Sequence, residues 1–194
     1  MPHWPQKCAG SAATGIGGSV ATDSSLVRNS TISARGPADI ALSAAPATGR
    51  HATRVCGADA ERSVFFDHYL SRDPSLTLDC GSRIEGIGRP RVEPSFIPSL
   101  VERMDVVSNL ESVAAMHALT GLLGRKVGPS TGTNFVAMLR LANEMRAAQT
   151  PGSVLSLLCD AGERYEKTYH DASWVKAQFG DTTPARHHLA TLLG

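Results

Sequence analysis

The sequence predicts an α/β fold in which helices flank a mostly parallel sheet. Three observations support this class: a capped helix follows a short apolar segment near residue 107, a second helix follows a turn of small residues, and residues 153–159 form an apolar run. Such runs are typical of strands buried on both faces, which occur mainly in parallel sheets. Their alternation with helices indicates helices packed on the faces of one sheet.

The chain divides by composition at residue 49. Residues 1–49 are rich in Ser, Ala, Thr, Gly and Pro and have no aromatic residue after Trp4. A segment with so little apolar surface cannot offset the entropy lost on ordering, so we expect a low-complexity, disordered or mis-framed tail here. Residues 50–194 are expected to form the folded part.

Charge and hydropathy narrow the function classes. The chain has 194 residues with 19 basic and 18 acidic side chains, so neither a nucleic acid nor an anionic membrane surface is an expected partner. No apolar run reaches the roughly 18 residues that a membrane-spanning helix needs, and residues 1–10 lack the apolar core of a signal peptide. We therefore expect a cytoplasmic protein.

The folded part begins with short elements. Residues 51–57 alternate in polarity and end on a glycine, which predicts a strand. Residues 62–70 contain regularly spaced aromatic and apolar side chains and predict a short helix. Residues 71–98 are punctuated by Gly and Pro and predict a loop. Residues 105–107 predict a second short strand.

The clearest element is a helix that begins after Ser108. Ser108 and Glu111 have capping-box spacing, in which each side chain accepts a hydrogen bond from the backbone N–H of the other residue. Gly124 is the expected end of this helix. Residues 126–134 then predict a turn of small residues, and a second helix follows with Phe135 on its apolar stripe.

The C-terminal part is predicted to hold one buried strand and one further helix. The apolar run at 153–159 predicts the strand, and Trp174 with Phe179 indicates the short helix. His187 and His188 are expected in a solvated tail. Two adjacent histidines do not make a metal site, and the cysteines and histidines elsewhere lack zinc-ligand spacing, so no metal site is predicted.

Three loops carry candidate functional residues, and each has a plain structural alternative. The glycines of Glu85–Gly88 allow a ligand close to the backbone, or form an ordinary turn. Gly128–Thr133 opens a helix whose free N–H groups favour an anion, or whose Ser and Thr simply cap it. Cys159–Tyr165 brings acidic, basic and phenolic groups to a strand end, where such sheets bind ligands. Its alternative is a surface ion pair beside a half-buried tyrosine.

Together these loops carry a family resemblance. Ser82–Pro90, followed by residues 96–98, resembles the "E-G-I-G … F-I-P" loop of the cysteine synthase and L-cysteine desulfhydrase family. Val127–Gly132 is similar to its "G-x-S-S-G" helix entry, and Val154–Tyr165 resembles its "V-x-x-L-x-D-S-G-E-R-Y" strand and loop. The resemblance covers roughly residues 50–180. It implies the C-terminal part of a tryptophan synthase β-like domain, with a partial three-layer parallel sheet and flanking helices.

The resemblance also implies pyridoxal 5'-phosphate (PLP) as cofactor, and β-elimination or β-replacement on a small amino-acid substrate such as cysteine or O-acetylserine. The protein would supply an aldimine lysine, a phosphate cradle and a partner for the pyridine nitrogen. Carried over position by position, the resemblance assigns cofactor contacts to Gly86, Ala161 and a partial phosphate loop of Gly15, Gly17, Gly18 and Ser19. It assigns the substrate-side loops to Glu85, Ile87, Gly88, Ser130 and Thr131.

Two departures from the family pattern bear on activity. None of the four lysines, Lys7, Lys126, Lys167 and Lys176, has the sequence context of the family's aldimine lysine. Ala161 stands where the family has the serine that meets the pyridine nitrogen, and a buried nitrogen left unpaired costs about 1–3 kcal/mol. The sequence therefore predicts a truncated member of the family that is inactive alone and has no catalytic residue of its own.

Two alternatives stay open. In the first, the chain is one half of a split PLP enzyme whose N-terminal half is supplied in trans. In the second, it is a non-catalytic interaction module that binds a paralogue or a serine acetyltransferase. Part of a sheet is expected to expose an edge and apolar helix faces, which favour association, including a homo-oligomer.

Overall fold

The computed structural model describes residues 30–33 and 53–194. Its sheet is entirely parallel and has the strand order β3-β2-β1-β4. The strands are β1 (Ser30–Ser33), β2 (Arg54–Ala60), β3 (Arg103–Val107) and β4 (Val154–Ser156). The order places β1 in the interior of the sheet and leaves β3 and β4 at its two edges.

Helices cover both faces of this sheet. They are α1 (Phe65–Ser71), α2 (Asn109–Leu123), α3 (Pro129–Ala147), α4 (Ala172–Phe179) and α5 (Thr183–Leu193). The pair α2 and α3 packs on one face and α1 on the other, which confirms the predicted three-layer α/β class. No described helix is long and apolar enough to cross a bilayer.

Strand β2 shows why two cores form. Successive side chains of a strand point to opposite faces, and those of β2 alternate between the two clusters. Cys56 and Ala60 join the large core beneath α2 and α3. Val55 packs against the smaller core, which is built around the stacked rings of Phe65 and Phe96.

The capping box is present as predicted. The Oγ of Ser108 accepts from the backbone N–H of Glu111 at 3.2 Å, and a carboxylate oxygen of Glu111 accepts from the Ser108 N–H at 3.0 Å. Gly124 ends α2 with a left-handed φ of 64°. The local pattern therefore fixes both ends of this helix.

Helices α2 and α3 approach each other closely at Gly132. A Cβ atom added there would lie 2.0 Å from the carbonyl oxygen of Ser112 and 2.8 Å from the Met116 nitrogen. At the next residue, the Thr133 hydroxyl donates to the Ser112 hydroxyl at 2.8 Å in a buried contact. Only glycine permits this spacing of the two helices.

Two helices differ from the expectation. Helix α3 begins at Pro129, so Ser130 to Asn134 lie inside the helix rather than in a turn. Proline suits a first helical position because its φ is already fixed and its missing N–H would have no partner there. His187 and His188 lie in α5, where they are exposed, rather than in a tail.

The strand expected at 153–159 is shorter and less buried than predicted. It covers only Val154–Ser156, and Leu155 is 63% exposed. The reason is its place at the edge of the sheet that the described residues form: Val154 packs on the large core, whereas Leu155 on the opposite face is exposed.

Strand β1 lies within residues 1–49, where the sequence indicated no regular element. Its backbone pairs on one side with β2 and on the other with β4. This pairing joins segments far apart in the chain. The four-residue sequence Ser-Thr-Ile-Ser is too short to show the periodicity from which a strand could be predicted. The division of the chain at residue 49 remains a prediction.

Candidate functional site

The three candidate loops meet around the segment that follows β4. Ala161 forms an isolated antiparallel bridge with Val127. The Gly162 N–H donates to the Lys126 carbonyl at 3.2 Å, and the Gly128 N–H donates to the Asp160 carbonyl at 2.9 Å. The loop after β4 is thereby joined along its backbone to the entry of α3.

A glycine is required at the centre of this junction. A Cβ atom on Gly162 would lie 2.5 Å from the Val127 nitrogen and 2.6 Å from the Lys126 carbonyl carbon. Both are backbone atoms and cannot move aside without breaking the junction. The glycine of the family-like "G-E-R-Y" segment therefore has a steric reason in this structure.

The glycine loop Glu85–Gly88 is held against the same segment. The Glu85 carboxylate pairs with the Arg164 guanidinium at 3.2 Å. The Glu85 N–H donates to the Tyr169 hydroxyl at 3.0 Å, and that hydroxyl donates to the Arg83 carbonyl at 2.7 Å. Gly86 has a φ of 91°, which favours glycine, and lies exposed at the tip of the loop.

Charged and phenolic groups form a chain across the junction. Arg164 bridges Glu85 and Asp160, and Asp160 also accepts from the buried Tyr165 hydroxyl at 2.8 Å. Burial, followed by the hydrogen bond to Asp160, raises the pKa of Tyr165. Each of these groups therefore already has a charged or hydrogen-bonding partner within the junction.

The other substrate-side candidates lie deeper. Ser130 and Thr131 are buried in the first turn of α3, and the Thr131 hydroxyl accepts from the Cys159 N–H at 2.9 Å. Ile87 is buried in the large core, while the neighbouring Gly88 adopts a φ of 73°. The structure thus brings Ser130 and Thr131 next to the junction, and the role of all four residues toward a substrate remains a prediction.

The expected cofactor contacts lie in two parts of the chain, the N-terminal glycine segment and the segment at Ala161. The partial phosphate loop, Gly15, Gly17, Gly18 and Ser19, lies outside the described residues. Ala161 lies among the described residues and is exposed at the junction. The carboxylate of the neighbouring Asp160 accepts a hydrogen bond from the Tyr165 hydroxyl and pairs with Arg164. Asp160 is therefore not a ready substitute for the missing serine hydroxyl.

Sequence reasoning missed Tyr169. Its hydroxyl contacts the backbone on both sides of Ile84, although 84 residues of sequence separate it from Glu85. The only local signal is its spacing of four residues from Tyr165, which indicates nothing about the glycine loop. Within the described part of the chain, no group of three or more potential metal-ligating side chains occurs.

Similarity to known proteins agrees with this geometry. The chain is 50% identical over 129 residues to an L-cysteine desulfhydrase from Mycobacterium tuberculosis, a match that takes in 66% of this chain and 35% of the relative. The chain belongs to the PLP-dependent cysteine synthase and L-cysteine desulfhydrase family. An N-(2-amino-2-carboxyethyl)-L-glutamate synthase from Cupriavidus metallidurans is 31% identical over 127 residues, which are 63% of this chain and 33% of that relative.

The match to these family members is partial in length. The chain spans about a third of each of the two curated relatives. No family model matches the chain. Everything that the complete family members do is therefore a proposal for this chain and not a finding about it.

Solved structures of the family share the fold. An O-acetylserine sulfhydrylase isoform 3 from Entamoeba histolytica superposes with a TM-score of 0.61 and 20% identity, over 84% of this chain and 45% of that one. An O-acetylserine-dependent cystathionine β-synthase from Helicobacter pylori superposes with a TM-score of 0.54 and 23% identity, over 73% and 43%. At these identities the likeness concerns the fold alone, and it confirms the expected partial domain.

The described residues do not by themselves fit PLP. Lys126, which adjoins the junction, places its ammonium against Glu166, and Lys167 and Lys176 are exposed. The side chain at Ala161 has no polar atom for the pyridine nitrogen. The described part of the chain thus holds neither a lysine in the family's aldimine context nor a side-chain partner for the ring nitrogen at position 161.

Proposed function

We propose that this chain is the C-terminal part of a PLP-dependent enzyme for β-elimination or β-replacement on cysteine or O-acetylserine, and that it is inactive alone. The observation that carries the proposal is that the junction resembles that of the family, whereas its side chains do not fit the cofactor. Ala161 presents a methyl group at the junction, and Lys126 is engaged by Glu166.

The residues at the junction would serve to shape a ligand site. The Gly162 contact fixes the backbone of Asp160 and Ala161 against the entry of α3. The contact between Glu85 and Arg164 sets the glycine loop beside it. A bound PLP would supply the electron sink that this chemistry needs. A cytoplasmic location remains a prediction of the sequence.

The proposal is tested by cofactor retention. The purified chain is incubated with PLP, freed of excess by gel filtration, and its visible spectrum is recorded, with sulfide release from L-cysteine measured in parallel. We expect no retained chromophore and no sulfide. An internal-aldimine band that borohydride traps on one mapped lysine would show the proposal to be wrong. The M. tuberculosis L-cysteine desulfhydrase, carried through the same steps, is the positive control.

A split enzyme is the second candidate, and one observation favours it. Strand β4 ends the sheet in the described part of the chain with Leu155 63% exposed, and Leu158 beyond it is 47% exposed. Exposed apolar side chains at and just beyond a sheet edge are common where another chain binds. A second chain that brings a lysine would cover it. The proposed paralogue, serine acetyltransferase and homo-oligomer contacts have no such specific support.

Adding the missing part in trans separates the two candidates. The N-terminal two-thirds of the M. tuberculosis relative is co-expressed with this chain, and the co-purified material is assayed for chromophore and sulfide. A retained aldimine supports the split enzyme. Co-purification without an aldimine supports an inactive chain that still associates, and the matched variant Ala161→Ser then tests whether the ring-nitrogen contact is what is lacking.

A further inference from the structure

Tyr169 occupies an unusual position between the core and the glycine loop. It is 1% exposed, yet its hydroxyl reaches the loop backbone at two points. It donates to the Arg83 carbonyl at 2.7 Å and accepts from the Glu85 N–H at 3.0 Å. Both bonds fall immediately before Gly86, where φ becomes positive.

The ring that carries this hydroxyl is fixed on several sides. Its centroid lies 5.0 Å from that of Trp174, 5.5 Å from that of Tyr165 in an edge-on contact, and 6.0 Å from that of Phe179. Trp174 and Phe179 belong to α4, and Tyr165 follows β4. An aromatic ring held in this way loses little further freedom when its hydroxyl bonds, so the hydroxyl is a rigid attachment point.

Ile84 and Ile87 on either side of the tip are buried in the large core, whereas the tip itself at Gly86 is open. A Cβ atom on Gly86 would meet nothing within 4 Å, which leaves the tip open to a ligand but without packing. Burial raises the pKa of Tyr169 to about 12, so the phenol stays protonated and able to donate at neutral pH. The Glu85 N–H and the Arg83 carbonyl would otherwise each need another partner.

We propose that Tyr169 is a positioning residue that holds the Glu85–Gly88 loop in the conformation that lines the ligand site, and that α4 acts on the site through it. The inference rests on the proposed function in one respect, namely that this loop lines a ligand site. The link itself rests on the two hydrogen bonds, which depend on neither a cofactor nor a substrate.

The loop also contacts α4 directly, through a different side chain. The Arg83 guanidinium lies 4.6 Å from the Phe179 ring centroid and donates to the Gln178 side chain at 3.2 Å and to the Gln178 carbonyl. This contact uses a side chain at the edge of the loop. The Tyr169 contact uses loop backbone atoms, which makes the two distinguishable by mutation.

The test is amide exchange at Glu85, measured residue by residue by NMR on the full chain without PLP or amino acid. Tyr169→Phe removes the hydroxyl and keeps the ring. We expect the Glu85 amide to exchange about tenfold faster in the folded variant, since it loses the acceptor that the Tyr169 hydroxyl provides. The matched control is Tyr69→Phe, which removes a hydroxyl that donates to the Glu102 carbonyl at 2.9 Å, away from the loop. It should leave Glu85 unchanged.

An unchanged Glu85 rate in folded Tyr169→Phe overturns the proposal. If that variant does not fold, Arg83→Ala decides, because it removes the side-chain contact with Gln178 and Phe179 and leaves both backbone bonds to Tyr169 possible. Retained Glu85 protection in Arg83→Ala supports the proposal, and lost protection overturns it. Since no cofactor is present, failure of the PLP assay leaves this result intact, and failure here leaves the PLP assay intact.

Discussion

The two edges of the sheet are finished in different ways. At the β3 edge, the Arg140 guanidinium donates to the Val106 carbonyl at 2.8 Å, and Arg103 pairs with Asp105 at 3.0 Å and with Glu144 of α3. At the β4 edge, three strand residues end the sheet in the described part of the chain, and Leu155 is 63% exposed.

The difference concerns how the described strand edges are protected from further strand pairing. Natural proteins protect a true sheet edge with charged side chains, because an unprotected edge recruits other strands. The β3 edge has that protection. Among the described residues, the β4 edge instead carries the exposed Leu155, which fits the proposal that further family sequence lies beside it.

The largest effect on stability is expected where α2 and α3 pack closely against each other at Gly132. Gly132→Ala places a methyl group 2.0 Å from the Ser112 carbonyl oxygen, so α2 and α3 must separate. We expect destabilisation of about 4 kcal/mol or loss of folding, measured by thermal unfolding followed by circular dichroism. Gly121→Ala is the control, since its added Cβ meets nothing within 4 Å. It should stabilise α2 by about 0.5–1 kcal/mol. A mild effect at Gly132 would mean that the helix pair is loose.

The second effect is a pH dependence centred on Asp59, at the carboxyl end of β2. Burial raises the pKa of Asp59 to about 6, although hydrogen bonds from Ser63 and from the Phe66 and Ala60 amides oppose the rise. Because the folded pKa lies above the unfolded value, the contribution of Asp59 to stability is fully present below about pH 4 and is lost as the pH rises through 6.

The size of this effect follows from the pKa shift, at about 3 kcal/mol at most. Denaturant titrations at pH 4 and pH 7 measure it as the difference in unfolding free energy between wild type and Asp59→Asn. We expect that difference to favour wild type more at pH 4 than at pH 7. A pH-independent difference would mean that water reaches the carboxylate in the folded chain.

The third effect concerns the protection of the β3 edge. Arg140→Met removes the bond to the Val106 carbonyl and the 2.6 Å pair with Glu111. We expect a loss of about 1 kcal/mol in unfolding free energy, together with new self-association in sedimentation velocity runs. Arg146→Met, on the exposed last turn of α3, is the matched control and should change neither. If Arg140→Met sediments like wild type, the Arg140 guanidinium does not protect this edge from association.

The smallest effect on stability is expected at the β4 edge. Leu155→Lys adds a charge to an exposed strand position, so the unfolding free energy should change by less than about 0.5 kcal/mol. Its consequence should appear in association: sedimentation should show fewer oligomers than wild type. Leu122→Lys, at a 66% exposed position of α2, is the control. An equal reduction in both variants would mean that general hydrophobicity, rather than the open edge, drives association.

Local signals explain the parts of the fold that were predicted correctly. The spacing of Ser108 and Glu111 and the position of Gly124 each act within one turn of helix, so the sequence alone sets them. The three family-like loops could be located for the same reason, since each is a short run of glycines and polar residues with a recognisable order. Their meeting at one junction followed from the resemblance and from strand ends sharing one edge.

Non-local pairing explains what was missed. Strand β1 exists because β2 and β4 flank it, and β4 is an edge because nothing in the described part of the chain pairs beyond it. Helix α5 was not expected, since its apolar residues, such as the buried Leu189, find their core only after α2 and α3 have packed. Such features depend on contacts between residues far apart in the chain, which periodicity does not record.

The sequence by itself determined the α/β class, the caps of α2 and the three loops that place the chain in its family, because these depend on residues a few positions apart. Only the tertiary structure decided that α2 and α3 touch through Gly132, that Arg140 protects one sheet edge while Leu155 leaves the other open, and that Tyr169 reaches across to Glu85. Those contacts join segments distant in sequence, and their energies arise from packing and hydrogen bonding that exist only once the layers have assembled.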